Sequence, residues 1–223
     1  MNNGTVRFPL PVNDPILSYA PGTPERAKLK SRLDELYAEV IEIPALIGGK
    51  EVRTGNLVDL HAPQDRTHLL ARYHACGSAE VEAAIAAGMK AWPEWNAMPW
   101  QQRAAVFMRA AELLAGPQRA TLVGATMLGQ SKNVYQAEID AACELVDFWR
   151  FNVWYAQEIY SQQPPVSPPG YWNYMQYRAL EGFILAVSPF NFTAIGGNLS
   201  CAPALMGNCV LWKPAEQQTY SAW

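Results

Sequence analysis

Charge is thin in this chain, and so are the residues that bind metals. Only 17% of its 223 residues are charged, the net charge is −3, and there are three histidines and four cysteines. No block of like charges stands out, which argues against a nucleic-acid or anionic-membrane surface. No apolar run approaches the ~20 residues needed to span a bilayer. Cys76, Cys143, Cys201 and Cys209 form no CxxC pair and have no histidine at ligand spacing, so no metal site is expected. Each lies among apolar or small residues and reads as a reduced, structural thiol. His61, His68 and His74 fit no helical face and no ligand motif, and read as surface or loop histidines. There is no G-x-G-x-x-G; Gly196–Gly197 falls in a helical stretch, where it serves close packing. Met1–Pro15 lacks both the apolar core of a signal peptide and the Arg-rich amphipathic pattern of a transit peptide. The simplest expectation is a cytoplasmic protein, or a mitochondrial-matrix one in a eukaryote. No internal repeat is visible.

What is present suffices for a core. Half the residues are hydrophobic, and the length allows one large domain or two small ones. Residues 1–23 read as an extended arm. Pro24–Ile43 reads as a helix with Leu29, Leu33, Leu36 and Val40 on one stripe, ended by Pro44. Ala45–Leu60 reads as a hairpin, with Leu46–Ile47 and Leu57–Val58 on either side of Gly48–Gly49 and a second turn at Thr54–Asn56. Asp59–Tyr73 reads as loop and a short strand. Ser78 can cap a helix over Ala79–Trp92, with Val81, Ile85, Met89 and Trp92 as its core stripe. Helices follow over Pro99–Ala115 and Gln118–Leu128. The longest helix spans Asn133–Tyr160, with Ile139, Val146, Trp149 and Val153 on its apolar face. Its acidic line, Asp140, Glu144 and Asp147, reads as a solvated face with Arg150 pairing to Asp147. Gln162–Gly170 is a proline-dense, stiff linker. Tyr171–Tyr177 alternates like a strand with one buried face.

The last forty residues carry the chemistry. Phe183–Val187 is a continuous apolar run, as for a parallel strand buried on both faces. Ser188–Pro189 stops it, Ala194–Asn208 is helical, and Cys209–Trp212 is a second strand ended by Lys213–Pro214. In such a βαβ unit, ligands sit beyond the carboxyl ends of the strands. Asn191 and Lys213 both lie there. Asn191 offers a neutral N–H₂ donor for a developing oxyanion; equally, it can be a turn residue satisfying its own backbone. Lys213 suits a ribose hydroxyl or a phosphate, or is a solvated strand-end lysine.

Ser188–Thr193 with Lys213–Glu216 resembles the cofactor-domain opening of the aldehyde dehydrogenase superfamily. The longer run Asn191–Lys213 and the stretch Gly129–Tyr160 are similar to one branch of it, the monofunctional pyrroline-5-carboxylate dehydrogenases. Those enzymes oxidise L-glutamate γ-semialdehyde to glutamate with NAD in proline breakdown. The similarity runs from about residue 10 to the end. It implies an α/β fold: the start of a doubly wound, Rossmann-like NAD-binding domain, preceded by helices and oligomerisation-arm strands. Residues 1–44 would be an arm and helix. Residues 45–223 would be an incomplete NAD-binding domain with arm strands near 45–60 and 171–180, and no catalytic domain.

Asn191 would stabilise the oxyanion, and Ser188, Pro189, Phe190, Lys213 and Glu216 would hold NAD. Phe192 would wall the substrate tunnel, or simply be core, and Glu144 would receive the substrate's α-ammonium. A homo-oligomer would form through Tyr171–Leu180. The family's nucleophilic cysteine, general-base glutamate, later glycine-rich turn and substrate-carboxylate loop have no counterpart here. The chain is therefore expected to be the N-terminal portion of a longer enzyme, inactive alone, with an exposed sheet edge and apolar faces made to be covered by the absent part. Two alternatives stay open: a related aldehyde dehydrogenase with another substrate, and a non-catalytic fragment that only binds partners.

Overall fold

A computed structural model describes residues 7–223. Residues 7–23 have no regular structure but are pinned to the body. The Leu17 N–H donates to Glu138 at 2.8 Å, and the Asp14 N–H donates to Asp147 at 2.7 Å. Helix α1 (Pro24–Ala38) starts on a proline, whose missing N–H costs nothing at a first turn. It stops at Ala38, short of the expected Ile43. The β-branched run that follows becomes strand β1 (Ile41–Ile43) instead.

Strands β2 (Ala45–Ile47) and β3 (Lys50–Val52) form an antiparallel hairpin. Gly48 and Gly49 close it with φ of 59° and 74°, which a two-residue turn of this hand demands. Leu57–Val58 lies outside that hairpin. It opens β4 (Leu57–Ala62), which pairs antiparallel with β5 (Asp65–His74), while β1 pairs with β5 in parallel. The expected loop and short strand is thus a ten-residue strand at the centre of a three-stranded sheet. Its period-two signal is broken because Leu70 and Ala71 are both fully buried, and the register shifts around Leu60–Ala62.

Helix α2 (Ser78–Ala97) has Gly77, not Ser78, as its cap; the Gly77 N–H donates to the Glu80 carboxylate at 2.7 Å. It runs through Pro93, past the expected end at Trp92. None of its side chains is fully buried, so its apolar stripe is a flank rather than a core: Val81 and Met89 are exposed. Helix α3 (Trp100–Ala115) buries Ala104, Phe107, Ala111 and Leu114, as the spacing predicts. Helix α4 (Arg119–Gln130) ends at Ser131, which is left-handed with φ of 56°.

The expected long helix is three pieces in one rod. These are α5 (Val134–Ala137), capped by Asn133, a π-helical turn (Glu138–Cys143), and α6 (Glu144–Ser161). Val146 and Val153 are fully buried, as the apolar face predicts.

Residues 162–182 contain no strand. The Tyr171–Tyr177 alternation has no neighbouring strand to pair with; Trp172 is 80% exposed and the segment is held by Gln163, which accepts from the Met175 N–H. Then come β6 (Phe183–Val187), α7 (Thr193–Leu205) and β7 (Cys209–Lys213), with β6 and β7 parallel. In β6 Ala186 is buried, but Leu185 and Val187 are about 60% exposed, so only one face is covered, as expected of a partial chain. A short 3₁₀ turn (Glu216–Gln218) and α8 (Thr219–Ala222) follow.

One core joins α3, α6 and α7 through Ala104, Phe107, Val153, Ala156 and Leu205. Another packs α1, α4 and α8 on the three-stranded sheet through Leu36, Leu70, Leu128 and Tyr220. The fold is mixed α/β, as expected. Among the described residues no helix is long and apolar enough to cross a membrane.

Candidate active site at the ends of the parallel strands

The pairing of β6 with β7 sets the site. Val187 lies opposite Lys213, so both strands end at the same level. The turn that follows β6 is held by a residue that sequence reasoning missed. Gln218 is fully buried. It accepts from Ser188 Oγ at 2.6 Å and donates to the Phe192 carbonyl at 2.5 Å, so one amide clamps both ends of the turn. Ser188 Oγ also accepts from Trp212 Nε1 at 3.0 Å, and its N–H donates to the Lys213 carbonyl. Gly196 makes room for the clamp: a Cβ there would sit 2.7 Å from the Gln218 amide. At Gly197 a Cβ would sit 2.8 Å from Leu145 on α6. The glycine pair serves close packing, as its sequence suggested.

Asn191 is exposed on this clamped turn. The turn's hydrogen bonds are made by Ser188, Gln218 and the Phe192 carbonyl, and none of these uses the Asn191 carboxamide. Its donor is left for something else. Phe190 is 60% exposed beside it, and Pro189 is half-buried. Lys213 is exposed at the end of β7. Glu216 accepts from the Tyr73 hydroxyl at 2.7 Å, and it borders a cavity of about 200 Å³ with Asp59, His61, Gln217 and Tyr220. Burial, then the Glu216 bond and its charge, push the Tyr73 phenol up to about 12. Ser188 differs from the rest of the predicted cofactor set, because its hydroxyl is turned inward and fully engaged.

A second group lies where the π turn passes into α6. Glu144 is half-buried, and its Oε2 is buried with no hydrogen-bond partner among the described residues. Burial, then the nearby Asp140 charge, hold its carboxyl above the ordinary carboxylate range, while Lys132 pulls the other way. Lys132 pairs with Asp140 at 2.8 Å and lies 3.9 Å above the centre of the Phe192 ring. Phe192 is the residue just before α7 and follows Asn191 directly. Lys132 therefore links the acidic helix to the clamped turn. It was not singled out from the sequence, although its place just before the Asn133–Gln136 capping box was a readable sign that its position is fixed.

Three local readings need correction. The acidic line is not simply solvated, because Asp140 binds Lys132 and Asp147 accepts from Asn13 and the Asp14 N–H. Arg150 pairs with Asp14 at 2.8 Å rather than with Asp147. His74 is not a surface residue. It is buried, accepts from the Gly55 N–H at 3.1 Å, and lies 3.0 Å from Glu42. His68 stacks on Tyr37 with ring centres 3.6 Å apart, and His61 is exposed. Of the cysteines, Cys143 and Cys209 are buried and Cys76 is exposed; all are free thiols.

A parallel βαβ unit with an amide and an ammonium past its carboxyl edge is the place where open α/β sheets bind their ligands. The aldehyde dehydrogenase family matches residues 51–223, and the chain belongs to that family. Delta-1-pyrroline-5-carboxylate dehydrogenase of Agaricus bisporus is 53% identical over 218 residues, covering 97% of this chain and 40% of that protein. The mitochondrial protein of the same name from Dictyostelium discoideum is 48% identical over 216 residues, covering 97% of this chain and 39% of its own length. A crystal structure of the Mycobacterium tuberculosis delta-pyrroline-5-carboxylate dehydrogenase bound with NAD superposes with a TM-score of 0.97. It is 50% identical and covers 99% of this chain and 41% of that one. The chain thus spans about two-fifths of the length of the relatives it matches.

Proposed function

We propose that this chain forms part of a longer enzyme that oxidises L-glutamate γ-semialdehyde to L-glutamate with NAD, in proline breakdown. Its site residues divide that work. Asn191 donates a hydrogen bond to the oxyanion that forms when a thiolate attacks the aldehyde carbon. Its amide adds no charge of its own, so the developing negative charge is stabilised without being neutralised beforehand. Glu144 takes the substrate's α-ammonium, and Phe192 lines the path of the aldehyde chain. The thiolate and the deacylating base come from the other three-fifths of the enzyme.

The residues fit a dinucleotide. Lys213 stands exposed at the end of β7, with Pro189 and Phe190 at the end of β6, and Glu216, three residues after Lys213, borders a cavity. Lys213 and Glu216 would hold the adenosine ribose, and Ser188 would act by bracing the turn from inside. NAD, when bound, supplies the two-electron acceptor.

The observation that carries the substrate assignment is Glu144: a buried carboxylate oxygen with no hydrogen-bond partner among the described residues, next to a lysine that covers Phe192. Buried polar atoms are almost always satisfied, so one without a partner calls for a group from outside the described residues. We also propose that the exposed aromatics Tyr171, Trp172 and Tyr174 pack on another subunit of a homo-oligomer. The compartment would be the cytoplasm in a bacterium and the mitochondrial matrix in a eukaryote.

The direct test is NAD reduction by the full-length enzyme with the semialdehyde, wild type against Asn191→Ala. Loss of one oxyanion donor is expected to lower kcat by about 10²–10³, or roughly 2.7–4 kcal/mol. An Asn191→Ala enzyme with wild-type kcat would overturn the role given to Asn191.

A further inference from the structure

We infer that Lys132 is a positioning residue that makes the site select aldehydes bearing an α-ammonium, by pairing with Asp140 so that Glu144 keeps an unshared negative charge. The inference rests on the substrate reading above and goes further, because it says why the negative charge is available.

The position of Lys132 is fixed from both sides. Helix α4 ends at Gln130, and Asn133 caps α5, so Ser131–Lys132 is a two-residue link between helices. Ser131 holds a left-handed φ of 56°, a conformation that costs free energy for a residue with a Cβ. The lysine side chain is only 13% exposed, unusual for a residue that normally keeps its ammonium in water. Two contacts offset that loss of hydration. One is the ion pair with Asp140 at 2.8 Å, and the other is the Phe192 ring, 3.9 Å below the ammonium.

Asp140 and Glu144 lie one turn apart on the same rod, both partly buried. Without a cation they would be two carboxylates competing to stay ionised, and Glu144, whose Oε2 is buried without a partner among the described residues, would be the one to take the proton, leaving the charge on Asp140. Lys132 answers Asp140 and leaves the three groups with one net negative charge, on Glu144. Asp140 and Lys132 are the charged groups acting on Glu144. Helix α7, which packs on the π turn, carries no acid or base apart from the Cys201 thiol, and Arg119 of α4 is committed to Glu138 and Asp14.

Lys132 touches the Phe192 side chain, not its backbone. The Phe192 carbonyl is held by Gln218, so the turn that carries Asn191 does not depend on the lysine. Its loss should therefore appear in substrate binding and leave the chemical step almost untouched.

The test compares two aldehydes in the full-length enzyme: L-glutamate γ-semialdehyde, and glutarate semialdehyde, which lacks only the α-ammonium. Lys132→Gln is expected to raise KM for the first about tenfold, with kcat within about twofold, and to leave KM for the second unchanged. Lys132→Arg keeps the cation and should restore the wild-type preference. Asp140→Asn approaches the same balance from the other side. It frees Lys132 to pair with Glu144, which removes the available charge and again raises KM for the ammonium-bearing aldehyde alone. This second variant keeps the inference testable if Lys132→Gln does not fold. Equal KM increases for both aldehydes, or no increase for either, would overturn the inference. A wild-type enzyme that uses both aldehydes equally well would overturn the substrate reading, and the inference with it. A preference that survives both Lys132→Gln and Asp140→Asn would overturn the inference alone.

Discussion

Two glutamates on one helical rod have opposite surroundings. Glu138 is fully buried, and every side of its carboxylate is answered. Arg119 pairs with it, the Tyr19 hydroxyl donates at 2.7 Å, and the Leu17 N–H donates at 2.8 Å. The same arginine pairs with Asp14, which also takes Arg150. Glu144, six residues further on, is only half-buried, and one of its oxygens has no hydrogen-bond partner among the described residues. The first arrangement is what a structural charge requires: buried ions stay ionised only when paired and hydrogen-bonded. The second is what a binding site leaves open. The π turn lies between them, a helix defect that recurs at functional sites.

The contrast predicts unequal responses to mutation. The largest belongs to the paired cluster. Arg119→Met strands Glu138 without its cation, leaves Asp14 with Arg150 alone, and is expected to cost about 3–5 kcal/mol of stability, because an uncompensated buried charge remains. Urea or thermal unfolding measures this; a loss of less than about 1 kcal/mol would mean that the arm is held by something other than the charges.

The clamp comes next. Gln218→Ala removes two hydrogen bonds from a buried turn, at about 1–2 kcal/mol. Because that turn carries Asn191, kcat should fall about tenfold or more while KM changes little. A stability loss with wild-type kcat would show that the turn keeps its shape without the clamp.

The smallest effect has the opposite sign. Burial and Asp140 raise the Glu144 carboxyl above its ordinary value, so the folded state holds that proton more tightly than the unfolded chain does. Its contribution to stability is therefore greatest at low pH and is lost as the pH rises through the raised value. Glu144→Gln should stabilise the fold near neutral pH, by about 1–2 °C in Tm, and have no such effect near about pH 4. A destabilised Glu144→Gln protein would mean that this carboxylate belongs to the scaffold after all.

How much of this could be read from the residues follows physical range. The βαβ unit was legible because each strand is a short apolar run bounded by proline or glycine, and β6 and β7 pair in the expected direction. The positions of Asn191 and Lys213 at the strand ends came with it. The Gly196–Gly197 pair was legible as packing for the same local reason. What failed depended on partners far along the chain. Arg150 has an acid three residues away, yet its partner is Asp14, 136 residues distant. His74 was read as a loop residue because β5 hides its alternation behind two consecutive buried residues. The Tyr171–Tyr177 alternation is a strand pattern without a strand to pair with among the described residues. Gln218 and Lys132 carried too weak a local signal, since a glutamine or lysine beyond a strand or helix end is ordinary until its contacts are known.

The measurement that bears most directly on the proposed function is the KM of the full-length enzyme for L-glutamate γ-semialdehyde, wild type against Glu144→Gln. A carboxylate that receives the substrate's ammonium predicts turnover by the wild type and a KM about tenfold higher in the variant, with kcat nearly unchanged. An unchanged KM would contradict it, and would leave Glu144 an unpaired charge with no part in choosing the substrate.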